Sequence, residues 1–321
     1  MATIVTGGTG FVGSNIVRRL AEQGHQVVSI DLVEPDDMVL RYVAPWSSQV
    51  TWAQADILEP ASLEVIGASH DVDKIVHAAV FTGIREDIER KDSRRIIDIN
   101  VSGTANMLEL ASKLSIERFL YVSSGAVYEG LEDTGILRED LPLNPRGLYN
   151  STKLASEHIT HRYGELHGFD TVATRLSSPF GPMERVTGHR AVMSMLQQVT
   201  RYAIRNESIP PLPIGSWDFT YVLDIAAGIQ TVLDAPKLSY REYNLGRGAS
   251  VSTDDIVSAM RDADPVVTFQ EQSDVEMEIS SSRRVMDASR VQDDIGFLPE
   301  HDIASGLKAY MQWRQEFEFI D

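Results

Sequence analysis

The 321-residue sequence contains no cysteine. Disulfides, thiolate nucleophiles and Cys-ligated zinc or iron–sulfur centres are excluded together, and nothing calls for an oxidising compartment. Positive charge is scarce. With 29 Lys and Arg against 47 Asp and Glu, the formal net charge is −18, which argues against nucleic acid or an anionic membrane held by general attraction. Long apolar runs are missing as well: none approaches the roughly 20 residues a membrane-spanning helix needs. Met1 leads directly into Ala2-Thr3-Ile4-Val5-Thr6 with no charged leader start, so the cytoplasm is the expected location. Internal repeats and low-complexity linkers are also absent from the pattern.

What is present alternates between two hydrophobic periods. Val- and Ile-rich runs at 2–6, 26–31, 50–55, 74–79, 117–123 and 171–176 read as buried strands. Between them, Phe11, Val12, Ile16, Val17 and Leu20 share one helical face, and longer helical patterns cover about 93–114 and 149–167. This alternation predicts an α/β chain with a doubly wound parallel sheet. Past residue 176, Pro179, Pro182, Pro210, Pro211 and Pro213 bracket a helical stretch near 190–206, where a smaller mixed α/β substrate lobe begins. A strand and helix at about 218–234 return to the main sheet. The expected division is 1–176 with 218–240 for a nucleotide-binding domain, and 177–217 with 241–321 for the substrate lobe.

Thr6-Gly7-Gly8-Thr9-Gly10-Phe11-Val12-Gly13 joins the first strand to the first helix. Glycines there let the backbone approach a pyrophosphate, and the helix start turns its N–H groups and positive dipole end toward it. Asp31 closes the second strand, where a carboxylate accepts both hydroxyls of an adenosine ribose and repels a 2′-phosphate. Leu32 follows it and supplies no cation, so NAD is expected rather than NADP. Asp56, in Ala55-Asp56-Ile57, suits the adenine amino group or an ordinary loop.

Tyr149-Asn150-Ser151-Thr152-Lys153 sets a phenol and an ammonium four apart, on one helical face. A free phenol is a poor base at neutral pH, and a nearby ammonium together with an oxidised nicotinamide stabilises the phenolate. Ser123 and Ser124, at the end of the fifth strand, offer hydroxyls to hold a substrate oxygen while Tyr149 takes its proton.

With these residues the chain resembles, nearly end to end, the extended short-chain dehydrogenase/reductases, also called the NAD-dependent epimerase/dehydratase family. The glycine turn fits the family's T-G-x-x-G-x-x-G, His77-Ala78-Ala79 its nicotinamide-side strand end, and Asn100-Val101-Ser102-Gly103-Thr104 its N-x-x-G-T helix. Arg175 with Pro179-Phe180-Gly181-Pro182 is similar to its arginine and Y-G-P segment. The tail from Asp287-Ala288-Ser289-Arg290 through Gly296-Phe297-Leu298-Pro299 to Gly306-Leu307 and Trp313 is similar to its C-terminal signature. The resemblance implies a Rossmann fold and a catalytic set of Ser124, Tyr149 and Lys153. It implies NAD contacts from Gly7, Gly10, Phe11, Val12, Gly13, Asp31, Asp56, Ile57, Ala78, Ala79, Asn100, Ser123, Tyr149 and Lys153. It also implies a homodimer built on the helices near 93–114 and 149–167.

Two positions depart from the nucleotide-sugar members: Ser178 stands where they carry a substrate asparagine, and Trp217 precedes Asp218 where they carry an arginine for the diphosphate. An indole offers one donor and no charge, so these departures argue against a UDP- or dTDP-sugar. Arg185, His189 and Arg190 cluster after Pro182, which makes Arg185 and Arg190, with Ser124 and Ser178, the candidate substrate contacts. A carboxylate or small phosphate would suit the arginines, and a solvated helix start is the bland alternative. Arg85, Arg90, Lys91, Arg94 and Arg95, alternating with acids, read as a solvated face, and His158, His161 and His167 need no metal. The expected activity is therefore a Tyr-Lys-Ser assisted hydride transfer at a carbohydrate-like hydroxyl, as an epimerase or dehydratase. A net dehydrogenase of a free sugar or sugar acid, a UDP-sugar 4-epimerase and a non-catalytic NAD sensor stay open beside it.

Overall fold

The computed structural model describes residues 1–131, 135–186, 193–271 and 284–320. Its centre is a parallel seven-stranded sheet of β1 (Ala2–Thr6), β2 (Gln26–Asp31), β3 (Val50–Gln54), β4 (Val72–His77), β5 (Arg118–Ser124), β6 (Asp170–Leu176) and β10 (Glu242–Leu245). The strand order is β10-β6-β5-β4-β1-β2-β3. β1 and β6 are buried on both faces for most of their length, as expected where helices cover both sides of a parallel sheet. The chain winds outward from β1 to β3 and then returns to place β4 on the other side of β1. That reversal opens a crevice at the carboxyl ends of β1 and β4, the usual ligand position in such sheets.

Each sheet face has its own apolar core. One gathers α1 (Phe11–Glu22), α2 (Asp37–Val43), α7 (Met195–Ile204), α8 (Val222–Asp234), α9 (Thr253–Ala263), α10 (Ser289–Ile295) and α11 (Ile303–Glu316). The other gathers α3 (Pro60–Ala68), α5 (Gly103–Leu114) and, at its edge, α6 (Leu148–His167). The expected face of α1 is inside, with Phe11, Ile16, Val17 and Leu20 buried. Two short pairings lie outside the main sheet: β7 (Ser178–Phe180) runs parallel to β9 (Phe219–Tyr221), and β8 (Ser216–Trp217) antiparallel to β11 (Val251–Ser252). Of the strand and helix expected to return to the main sheet at 218–234, only the helix, α8, packs there, against α1, because β9 takes β7 as its partner. Among the described residues, no helix is long and apolar enough to cross a membrane.

Three boundaries differ from the sequence reading. β4 ends at His77, so Ala78 and Ala79 fall beyond the strand end. The helix expected over 93–114 is divided into α4 (Glu86–Ile97) and α5 by a π-helical turn at Asp98–Ser102. There the Asn100 carbonyl accepts from the Thr104 and Ser156 hydroxyls, side-chain partners that periodicity does not reveal. Residues 242–245, assigned above to the substrate lobe, extend the main sheet beside β6; a strand of four residues interrupted by Asn244 is too short to announce itself.

Candidate active site and cofactor cleft

At the end of β1 the backbone turns through Gly7 with φ +71°, a left-handed conformation that favours glycine. A Cβ on Gly7 would lie 2.9 Å from the Ala79 backbone, and one on Gly13 would lie 1.9 Å from the Gly7 carbonyl oxygen. α1 then starts from Gly10 with no side-chain cap and no acid in its first turn, which leaves the dipole end suited to an anion. A cleft of about 540 Å³ opens here. Gly7, Gly10, Phe11, Val12, Gly13, Asp31, Asp56, Ile57, Ala78 and Ala79 all line it, as the sequence predicts, together with Thr9, Thr82, Ile99 and Arg185.

The Asp31 carboxylate is fixed on the cleft wall. One oxygen accepts from the Thr9 amide at 3.0 Å and the Thr9 hydroxyl at 2.8 Å, and the other from the Leu32 amide at 2.7 Å. Cleft size, backbone approach, helix terminus and a carboxylate anchored on the wall together fit a dinucleotide. Asp56 lines the same wall and accepts from the Leu58 amide at 2.9 Å.

Behind the cleft, Thr6 Oγ1 accepts from the Ala78 and Ala79 amides, each at 3.1 Å, so it donates to His77 Nδ1 at 2.7 Å. Nε2–H of His77 then donates to Thr104 Oγ1 at 3.1 Å, and Thr104 donates to the Asn100 carbonyl. Burial, with the Lys153 charge nearby, pushes His77 down to about 3, so the ring is a neutral structural link. The Asn100 side chain accepts from the Phe81 amide at 2.9 Å and donates to the Phe81 carbonyl and Thr152 Oγ1. The sequence motif places Asn100 at the cofactor. In the structure its side chain ties the segment after β4 to α6, with both amide N–H donors used within the protein.

Tyr149 and Lys153 lie buried in the first turns of α6, whose Leu148 amide is capped by Glu89. Lys153 Nζ donates to the Val122 carbonyl at 2.7 Å and sits 4.8 Å from the Tyr121 ring centroid and 6.0 Å from that of Tyr149. Burial pushes Lys153 down to about 7, against an upward pull from Glu157. One turn on, Glu157 pairs through both oxygens with Arg175, at 3.0 and 2.8 Å. Arg175 also donates to Tyr128 Oη, which donates to Asn244 Oδ1, both at 2.8 Å. The Asn244 amide ends the chain on the Leu137 and Asp287 carbonyls. Burial alone would lower Arg175, yet Glu157 and Tyr128 hold it above its ordinary value.

Ser124, at the β5 end, is half-buried and accepts from the Ala126 amide at 3.2 Å. Ser123 is buried and donates to Glu157 at 2.5 Å; like Asn100, Ser124, Tyr149 and Lys153, it is not among the residues that line the cleft. Successive strand residues face opposite sides, so only one of this serine pair looks outward. Glu157 and Tyr128 were not read as part of the site. Their signal was Glu157 four residues past Lys153 on one helical face.

On the substrate side, Ser178 is half-buried in β7 and its amide donates to the Asp218 carbonyl. Trp217 is a core residue, 2% exposed and stacked on Phe219. Arg185 lines the same cleft, where it pairs with Asp36. His189 and Arg190 lie outside the described residues. Those described contain no cluster of three metal-ligating side chains.

Residues 3–246 match the model of the NAD dependent epimerase/dehydratase family. The chain is 27% identical to a UDP-glucuronate 4-epimerase of Thermodesulfobacterium geofontis, over 98% of this chain and 96% of that one. It is 27% identical to a dTDP-glucose 4,6-dehydratase of Streptomyces griseus, over 97% and 93%. In fold it is similar to a Thermus thermophilus UDP-glucose 4-epimerase solved with NAD, with a TM-score of 0.82, 21% identity and full coverage of both chains. These relatives carry sugar nucleotides in their names, so the expectation drawn from Ser178 and Trp217 against such substrates finds no support among them. The chain belongs to the NAD-dependent epimerase/dehydratase family, whose members are enzymes that use NAD.

Proposed function

We propose that the protein oxidises a hydroxyl of a sugar nucleotide to a ketone and carries the ketone on to an epimerised or dehydrated product. Bound NAD supplies the hydride acceptor and later the donor. The Tyr149 phenolate takes the hydroxyl proton as the hydride leaves the same carbon for the bound NAD, so the alcohol becomes a ketone by loss of one proton and one hydride. Lys153 favours the phenolate while it carries its proton, and the Ser124 hydroxyl orients the reacting oxygen. Return of the hydride to the opposite face inverts the carbon, whereas loss of water from neighbouring carbons gives dehydration. The observation that carries this reading is the buried Tyr149–Lys153 pair on α6, with the Lys153 ammonium on the β5 backbone. A 4-epimerase and a 4,6-dehydratase among the relatives support a 4-hydroxyl. The test is incubation of the NAD-loaded protein with UDP-glucuronate, UDP-glucose and dTDP-glucose, with products identified by NMR. An isomer or a dehydrated keto-sugar is expected, and unchanged substrates in all three would refute the assignment.

One observation favours a second reading. Trp217 fills the core where a diphosphate-gripping arginine was expected, which suits net dehydrogenation of a free sugar or sugar acid. NADH accumulating in stoichiometric excess over enzyme separates that reading from the first. A homodimer is part of the proposal, supported by exposed Ile97 on α4 and Leu166 on α6; a monomeric mass by sedimentation would contradict it.

A further inference from the structure

We propose that Arg185 and Asp36 form a clasp across the dinucleotide cleft, with Arg185 a cationic contact for the phosphate-bearing part of NAD, and that this clasp slows cofactor release. The clasp rests on the NAD dependence of the family and is independent of the choice of substrate.

Among the described residues lining the cleft, Arg185 alone has a cationic side chain, whereas Asp31, Glu34, Asp36 and Asp56 are acidic. A dianionic diphosphate entering that wall meets the dipole end of α1 and this one guanidinium. Arg185 Nη1 donates to Asp36 Oδ2 at 2.5 Å. Its Nε is buried and has no hydrogen-bond partner among the described residues, so Asp36 leaves the guanidinium incompletely satisfied, and a rotation of the side chain toward a cleft anion would gain a partner. The Arg185 side chain is 17% exposed, which is low enough for a charge-assisted contact to count.

The two halves of the clasp stand on fixed ground. Asp36 is the N-cap of α2 and accepts from the Val39 amide at 3.0 Å. Burial would raise its carboxyl, but Arg185 and the Val39 amide hold it below its ordinary value. On the other side, Asn15 donates to the Pro182 carbonyl at 3.0 Å and accepts from Tyr42 Oη at 2.6 Å. Met183 turns the chain with φ +68°, and the fully buried Glu184 accepts from both the Ser194 amide and hydroxyl at 2.7 Å. Arg185 thus projects from an anchored strap across to the loop that follows Asp31. The pair links two hydrogen-bonded segments on the cleft wall, so rotation of the two side chains would part it.

The experiment measures NAD and NADH dissociation by stopped-flow displacement, without any sugar, for the parent, Arg185→Met, Asp36→Asn and the double variant. Asparagine is as good an N-cap as aspartate, so Asp36→Asn keeps α2 while weakening the pair. Arg185→Met should release cofactor about tenfold faster or more, the scale of a lost charge-assisted hydrogen bond. Asp36→Asn should act in the same direction by several-fold, and the double variant should be no faster than Arg185→Met. The melting temperature of the cofactor-free protein should fall only slightly, on the scale of one partly exposed ion pair, which separates a lost contact from a lost fold. Release within twofold of the parent in Arg185→Met would overturn the clasp. So would additive effects of the two substitutions. A rise in KM for acidic sugars with unchanged NAD release would return Arg185 to the substrate.

Discussion

The walls of the dinucleotide cleft and the support behind Tyr149 are built at different ranges along the chain. Gly7, Gly10 and Gly13 shape one turn, and Thr9 reaches Asp31 across 22 residues. Behind Tyr149, Tyr128 and Asn244 are 116 residues apart, and Arg175 meets Glu157 from a different element. The glycine turn is therefore set by one strand–turn–helix unit, although the cleft it opens takes its other walls from residues as far along as Arg185, whereas the support behind the phenol and ammonium is wholly long-range. Damage to the first should weaken cofactor binding and leave chemistry intact at saturation; damage to the second should do the reverse.

The sharpest separation is expected from Tyr149→Phe. Turnover should fall by about 10² to 10⁴, the range of a lost general base, with NAD affinity unchanged by calorimetry. Activity within a few-fold of the parent would remove Tyr149 from the reaction. Arg175→Met leaves the Glu157 carboxylate buried without its ion-pair partner, a change that costs about 3 to 5 kcal/mol. Urea unfolding should show that loss, and adding Glu157→Gln should recover part of it. If Arg175→Met is neutral, the network is not what holds α6 on the sheet. Asp31→Ala should weaken NAD binding by about 1.5 to 3 kcal/mol, the scale of a hydrogen bond to a charged group. Its turnover at saturating NAD should stay near the parent's, and a fall in turnover would erase the contrast between the two regions.

The smallest effect is a pH slope. Lys153 is pushed from an ordinary 10.5 down to about 7 by burial, so between these values the unfolded chain binds the extra proton. Stability of the cofactor-free protein should rise with pH across that window, by at most about 1.4 kcal/mol per unit. Below about 7 the buried charge costs its full amount. Lys153→Met should remove the slope, and a parallel pH profile in both proteins would contradict the assigned burial of charge.

Range along the chain also explains what the sequence disclosed. The glycine turn, Asp31, and the Tyr149–Lys153 spacing are short-range patterns with direct chemical meaning, and all lie where expected. Ser123 and Ser124 could not be told apart as neighbours, since the pleat decides which faces outward. Arg185 was legible as positive charge but not as the partner of Asp36, 149 residues away. Trp217 read as a lost diphosphate ligand, and its burial shows that the position is used for packing. The main sheet was legible except at one edge: the strand at 219–221 was expected in it but pairs with β7 instead, and β10, whose four residues carry too little periodicity to separate a strand from a loop, takes the place beside β6.

The central claim, oxidation of a sugar-nucleotide hydroxyl by Tyr149-assisted hydride transfer, is tested most directly by transient absorbance at the NADH band. The NAD-loaded parent and Tyr149→Phe are each mixed with UDP-glucuronate, UDP-glucose and dTDP-glucose. The parent should show reduced cofactor within a single turnover on at least one of them, and Tyr149→Phe should form it at least a hundredfold more slowly. Equal rates in the two proteins, or no reduced cofactor with any of the three while a free sugar acid produces it, would contradict the account.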